Sequence, residues 1–136
     1  MDGVVPIIQP HIPATGVGLA SLDFATQLSL HGFLRLVEQL HDLTGRRLFR
    51  ILLAAAGEDP RQYSARNMVR RLERLGVVAS ADEWVELTQT RNMLAHDYPL
   101  DFDEQAKLLN RAWAMLPGLR RQVGAALRYD ADRETP

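Results

Sequence analysis

The stretch Ser64–Gly76, SARNMVRRLERLG, decides the reading of the whole chain. Ala65, Met68, Val69, Leu72 and Leu75 return every three or four positions, the period of one helix face. Ser64 stands where a side-chain oxygen can accept from the first free N–H groups, and Gly76 stands where a helix ends. Arg66, Arg70 and Arg74, four apart, form a stripe on the opposite face. The same grammar runs outward in both directions. Downstream, Ser80 and Glu83 form a capping box for a helix from Ala81 to about His96. Asp101 and Glu104 do the same for a final helix from Phe102, which Pro117 should kink by removing one backbone hydrogen bond. Upstream, Thr44 caps a helix over residues 46–56, stopped by Gly57 and the Asp59-Pro60 pair. Asp23 caps the first, whose Leu30, Phe33, Leu34, Val37 and Leu40 share a face. Nothing after Asp23 reads as a strand, and the connections are short enough for neighbours to run antiparallel. The expectation is an all-α, antiparallel bundle of four to five helices over residues 22–128. Residues 1–21, with Pro6, Pro10 and Pro13 among Val4, Val5, Ile7 and Ile8, read as an extended arm. Residues 129–136 read as a polar, frayed tail.

Composition narrows the function classes. With 136 residues the chain is one domain in size. It has 46% hydrophobic and 24% charged residues, a globular composition. Cysteine is absent, which removes disulfides, thiolate metal sites and cysteine nucleophiles, and suits a reducing cytoplasm. A net charge of −1 is wrong for a generic nucleic-acid coat protein. No apolar run is long enough for a membrane span, and the opening MDGVVPIIQP does not read as a signal peptide. Of 16 basic residues only Lys107 is lysine, and eight arginines against three carboxylates fall within residues 46–74. Arginine meets carboxylate and phosphate with two parallel bonds, where lysine offers a point charge. The Arg66, Arg70 and Arg74 stripe therefore suits an RNA backbone or an acidic partner protein, and equally an ordinary solvated face.

The chemistry-bearing stretch is RNMLAHDYP, residues 91–99. It sets Arg91, Asn92, His96 and Tyr98 around the end of the fourth helix, where Pro99 turns the chain. In a regular helix Asn92 and His96 share a face, whereas Arg91 and His96 lie about 140° apart. Only fraying at His96, or a second subunit, would bring that pair together.

The spacing resembles the Arg-x4-His-x-Tyr motif of the HEPN superfamily, and more narrowly the HepT-like toxins paired with minimal nucleotidyltransferase antitoxins. Arg91 matches the motif arginine, Asn92 the polar residue after it, His96 the histidine and Tyr98 the tyrosine. Leu75-Gly76-Val77-Val78 and Asp82-Glu83-Trp84 are also similar to this group, and the likeness covers roughly residues 23–127. The resemblance implies a ribonuclease without metal or other cofactor, in which the RNA 2′-hydroxyl attacks the adjacent phosphate. Histidine can move protons at neutral pH, and guanidinium can meet the charge on the phosphorane oxygens. Arg91, Asn92 and His96 would then be transition-state clamp, orienting group and general acid/base, shared across a homodimer. Tyr98 would accept AMP from the cognate nucleotidyltransferase, silencing the enzyme. The rival implication is a non-catalytic nucleotidyltransferase partner of the same superfamily, and a plain dimerisation module is a third.

Structural roles compete at each position. His96 can simply favour a helix C-terminus, Arg91 can pair with Glu86 or Asp97, and Tyr98 can be an interfacial ring. Trp84 and Trp113 read as core anchors, His31 and His41 as surface residues. Asp97, Asp101, Asp103 and Glu104 resemble a hard-metal cluster, but two of them serve the cap, so no metal is expected.

Overall fold

The computed structural model describes residues 3–95 and 99–134. Every regular element among them is helical: α1 (Val5–Ile8), α2 (Gly16–Ala20), α3 (Phe24–Leu43), α4 (Phe49–Ala55), α5 (Ala65–Arg74), α6 (Ala81–Leu94) and α7 (Phe102–Glu134). The all-α class expected from the sequence is the one found. No described helix is long and apolar enough to cross a membrane. Contacts divide the chain into two compact units, residues 1–39 with 90–116 and residues 40–89 with 117–136. One division falls at Pro117, inside α7, which nevertheless runs on as helix.

In the first unit, Asp23 caps α3 by accepting from the Thr26 N–H at 2.8 Å. Leu30, Phe33, Leu34 and Val37 are buried, and the Phe33 ring lies 6.1 Å from that of Trp113. The extended arm is corrected: residues 5–11 form α1 and a 3-10 turn, and α2 follows. Pro6 and Pro10 each stand in the first two positions of a turn, where the missing N–H would have had no partner anyway. Tertiary contacts then hold the segment down. The Asn110 side chain accepts from the Ala14 N–H at 2.7 Å and donates to the Ala14 carbonyl at 3.0 Å. Gly16 lies so close to Asp103 that any Cβ there would overlap the carboxylate. The expected tail is likewise helical as far as Glu134, with Arg133 and Asp130 paired at 3.4 Å.

The second unit is built around Trp84, 5% exposed. His41 stacks flat on its indole at 4.5 Å and 6°, and Phe49 meets it edge-on at 4.7 Å. His41 is thus buried, not on the surface, and its Nε2 lies 3.0 Å from Thr88 Oγ1. Thr44 does not begin a new helix. Its hydroxyl bonds back to the Leu40 carbonyl at 2.7 Å, and a π-helical turn over Thr44–Leu48 leads directly into α4. Gly45 in that turn makes room for the indole, since a Cβ there would come within 3.0 Å of Trp84 Cζ2. Gly57 and Gly76 close α4 and α5 with positive φ, at 89° and 83°.

Candidate functional site

Two places in the fold gather the polar residues singled out above. The first is the end of α6 in the first unit. The helix stops at Leu94, earlier than the sequence suggests, and Ala95 closes a tight turn by donating to the Asn92 carbonyl at 3.3 Å. Arg91 is half-buried in the last helical turn and Asn92 is exposed beside it. His96, Asp97 and Tyr98 lie outside the described residues. Buried Leu94 anchors the near side of this connection. On the far side, Gln105 Nε2 donates to the Pro99 carbonyl at 2.7 Å. Asp101 Oδ1 accepts from the N–H groups of Asp103 at 2.7 Å and Glu104 at 3.3 Å, so it caps α7 as expected. Glu104 does not reach back to complete a box; it pairs with Lys107 at 2.9 Å, which raises the Lys107 pKa. Among the described residues no group of three or more His, Cys, Asp or Glu is placed to hold a metal ion.

The second place is the face of α5 in the second unit. Ser64 caps the helix through the Asn67 N–H, and Met68, Val69 and Leu72 are buried, which turns Arg66, Arg70 and Arg74 outward. Arg71 faces Glu58 instead, its guanidinium 2.6 Å from Oε1, while Tyr63 donates to Oε2 of the same carboxylate at 2.8 Å. Those two bonds hold the Glu58 carboxyl below its ordinary value, the arginine contributing most. No ion pair ties down Arg66, Arg70 or Arg74 among the described residues. Arg66 and Arg70 line a cleft of about 390 Å³ whose other wall is Asp82, Val85, Glu86 and Gln89 of α6; Arg74 is not part of it. The stripe therefore divides into a cleft-lining pair and one further arginine.

The walls of that cleft are fixed where α6 begins. Glu73 Oε2 accepts from the Ala81 N–H at 2.6 Å, joining the end of α5 to the start of α6. Ser80 Oγ accepts from the Glu83 N–H at 3.1 Å, the first half of the expected box. The second half is missing because Glu83 is drawn to α7. It accepts from Arg121 at 2.9 Å and from Gln122 Nε2 at 2.7 Å, which lower its pKa, the arginine first. Gln122, 1% exposed, accepts from the Ala79 N–H at 3.1 Å. The acidic wall escapes a sequence reading directed at arginines, although Asp82, Glu86 and Gln89 recur at helical spacing. No family model, curated protein or solved structure matches the chain.

Proposed function

We propose that this chain is the toxin of a toxin–antitoxin pair, a metal-independent endoribonuclease working as a homodimer in the cytoplasm. A cognate nucleotidyltransferase would restrain it by transferring AMP from ATP to the Tyr98 hydroxyl, with release of pyrophosphate. The observation that carries the reading is the Arg91-x4-His96-x-Tyr98 spacing, begun on the last turn of a helix in an all-helical chain. In the reaction, the RNA 2′-oxygen bonds to the adjacent phosphorus and the bond from phosphorus to the 5′-oxygen breaks. A 2′,3′-cyclic phosphate and a 5′-hydroxyl result. His96 takes the 2′-hydroxyl proton, the leaving 5′-oxygen receives one, and Arg91 meets the charge on the non-bridging oxygens. Asn92, one position on, orients the phosphate. AMP on the Tyr98 oxygen would put a phosphate among these groups and exclude the substrate's own.

Purified protein incubated with RNA should leave cyclic-phosphate ends, at a rate EDTA does not change. Arg91→Ala should slow cleavage by about 10²–10³-fold, the cost of removing one transition-state donor, and His96→Ala by a comparable factor. Unchanged rates in both variants would overturn the assignment. AMP on Tyr98 without any cleavage would point instead to a non-catalytic partner of the transferase.

A further inference from the structure

We infer that the outer face of α3 is a self-docking surface, on which a second copy of this chain packs its own α3 antiparallel across a twofold axis at Gly32. The surface is read from α3 alone and holds equally for a protein that cuts no RNA; for the homodimer proposed above it supplies the place of contact.

Gly32 sits inside a 20-residue helix, where glycine weakens the helix relative to alanine. The chain's own packing gives no reason for it: a Cβ there would meet no atom of the described residues within 4 Å. Gly16, Gly18, Gly45, Gly118 and Gly124, the other glycines in helical turns, each have a side chain inside that radius. A missing Cβ that faces open space lets another backbone come close. Apolar side chains surround the gap. Phe24, Leu28 and Leu36 are 77%, 56% and 42% exposed, on a helix whose opposite face already fills the core with Leu30, Phe33, Leu34 and Val37. Scattered exposed apolar residues are ordinary, but Leu28 and Leu36 bracket the glycine on one face. Of the exposed residues from Ala25 to Gln39 only Arg35 is charged, whereas α5 turns Arg66, Arg70 and Arg74 outward.

The order of residues points to a second copy as the occupant. Leu28 lies four positions before Gly32 and Leu36 four after; Ser29 and Arg35 stand three away, Ala25 and Gln39 seven. In a 3.6-residue helix all six share the face of Gly32. A twofold axis through Gly32 therefore sets each against its counterpart in the other chain: leucine on leucine, serine on arginine, alanine on glutamine. In such an isologous contact every pairing occurs twice, so like charges at paired positions would repel twice. None are paired here. Arg35 meets the partner's Ser29, whose hydroxyl donates to the Ala25 carbonyl at 3.0 Å and keeps its oxygen free to accept. A partner of opposite charge would find one arginine in about four turns, itself only 3.6 Å from Glu38 of its own chain. A copy of the same face meets leucine with leucine and closes the glycine gap with its own.

The test is sedimentation velocity of the full-length protein over a concentration series, which should show a species of twice the chain mass. Gly32→Leu should weaken that dimer about tenfold or more. Its helical circular-dichroism signal should stay intact and its Tm level or higher, because the new side chain enters open space and leucine is the better helix former. Leu28→Arg and Leu36→Glu, both at exposed positions, should each weaken the dimer by about the same factor. The double variant L28R/L36E should recover most of the loss. Each guanidinium then faces a carboxylate across the axis, while the one on its own chain is about two turns away. A parent that is monomeric at every concentration overturns the inference, as does a dimer that Gly32→Leu and both leucine variants leave intact. Dissociation by the single changes without recovery in the double variant overturns the twofold pairing. RNA cleavage keeps the two readings apart: a dimer of this kind that cuts nothing sinks the nuclease alone, and cleavage by a dimer these changes do not touch sinks the surface alone.

Discussion

The two ends of α6 are made differently. At its start, Ser80, Glu73 and Gln122 all accept backbone N–H groups between Ala79 and Glu83, and Glu83 is itself held by Arg121 and Gln122. At its close the helix stops at Leu94, and Ala95 satisfies itself on the Asn92 carbonyl three residues back. Side chains from α5 and α7 spend their hydrogen bonds fixing the first end, so polar residues there define structure. Arg91 and Asn92, for which chemistry is proposed above, lie in the last turn at the other end. Polar residue type alone does not assign a role; Glu83 reads as structural only from its bonds to Arg121 and Gln122.

That contrast can be broken by substitution at either end. Trp84→Ala, emptying the space between His41 and Phe49, should cost about 3–5 kcal/mol in denaturant unfolding. A cost under about 1 kcal/mol would show that the second unit is not organised around this ring. Gln122→Ala removes a buried amide that accepts from the Ala79 N–H and donates to Glu83, and should cost about 2 kcal/mol. The Glu83 link gives a smaller, pH-dependent effect. Its carboxyl pKa is depressed on folding, so its stabilisation is complete above the ordinary glutamate value near 4.5 and is lost as pH falls through the lower folded value. Glu83→Gln should therefore be less stable than the parent by about 1 kcal/mol at pH 7, Arg121 being largely solvated, and the difference should shrink as pH falls through the lowered folded value. A difference that does not change with pH would mean the ionised carboxylate contributes nothing. Smallest of all, Asn92→Ala at the exposed far end should change stability by less than about 0.5 kcal/mol while slowing RNA cleavage. An equally large stability loss there would erase the distinction between the ends.

Much of the fold was legible because its signals are local. Asp23, Ser64, Ser80 and Asp101 accept from N–H groups two or three residues away, and Gly57 and Gly76 take a backbone conformation other residues resist. Such interactions depend on spacing along the chain, which the sequence states outright. Thr44 misled because its hydroxyl had two local choices, the N–H groups ahead or the Leu40 carbonyl behind, and the Trp84 ring against Gly45 accompanies the second. The prolines of the first segment misled because a turn-starting proline and a helix-breaking proline are the same residue in different registers.

The candidate sites divide along the same line. Arg91, Asn92, His96 and Tyr98 were found as a motif, and Arg66 and Arg70 as a stripe, because both are patterns within one segment. The sequence by itself determined that the chain is helical and where most helices begin, and it supplied the pattern on which the proposed proton-transfer and phosphate-binding roles rest. Only the tertiary structure decided that His41 lies under an indole, that Asn110 clamps Ala14, and that Asp82 and Glu86 face Arg66 and Arg70 across a cleft. Each of these joins residues from different helices, and packing in three dimensions, rather than periodicity along one, selects such partners.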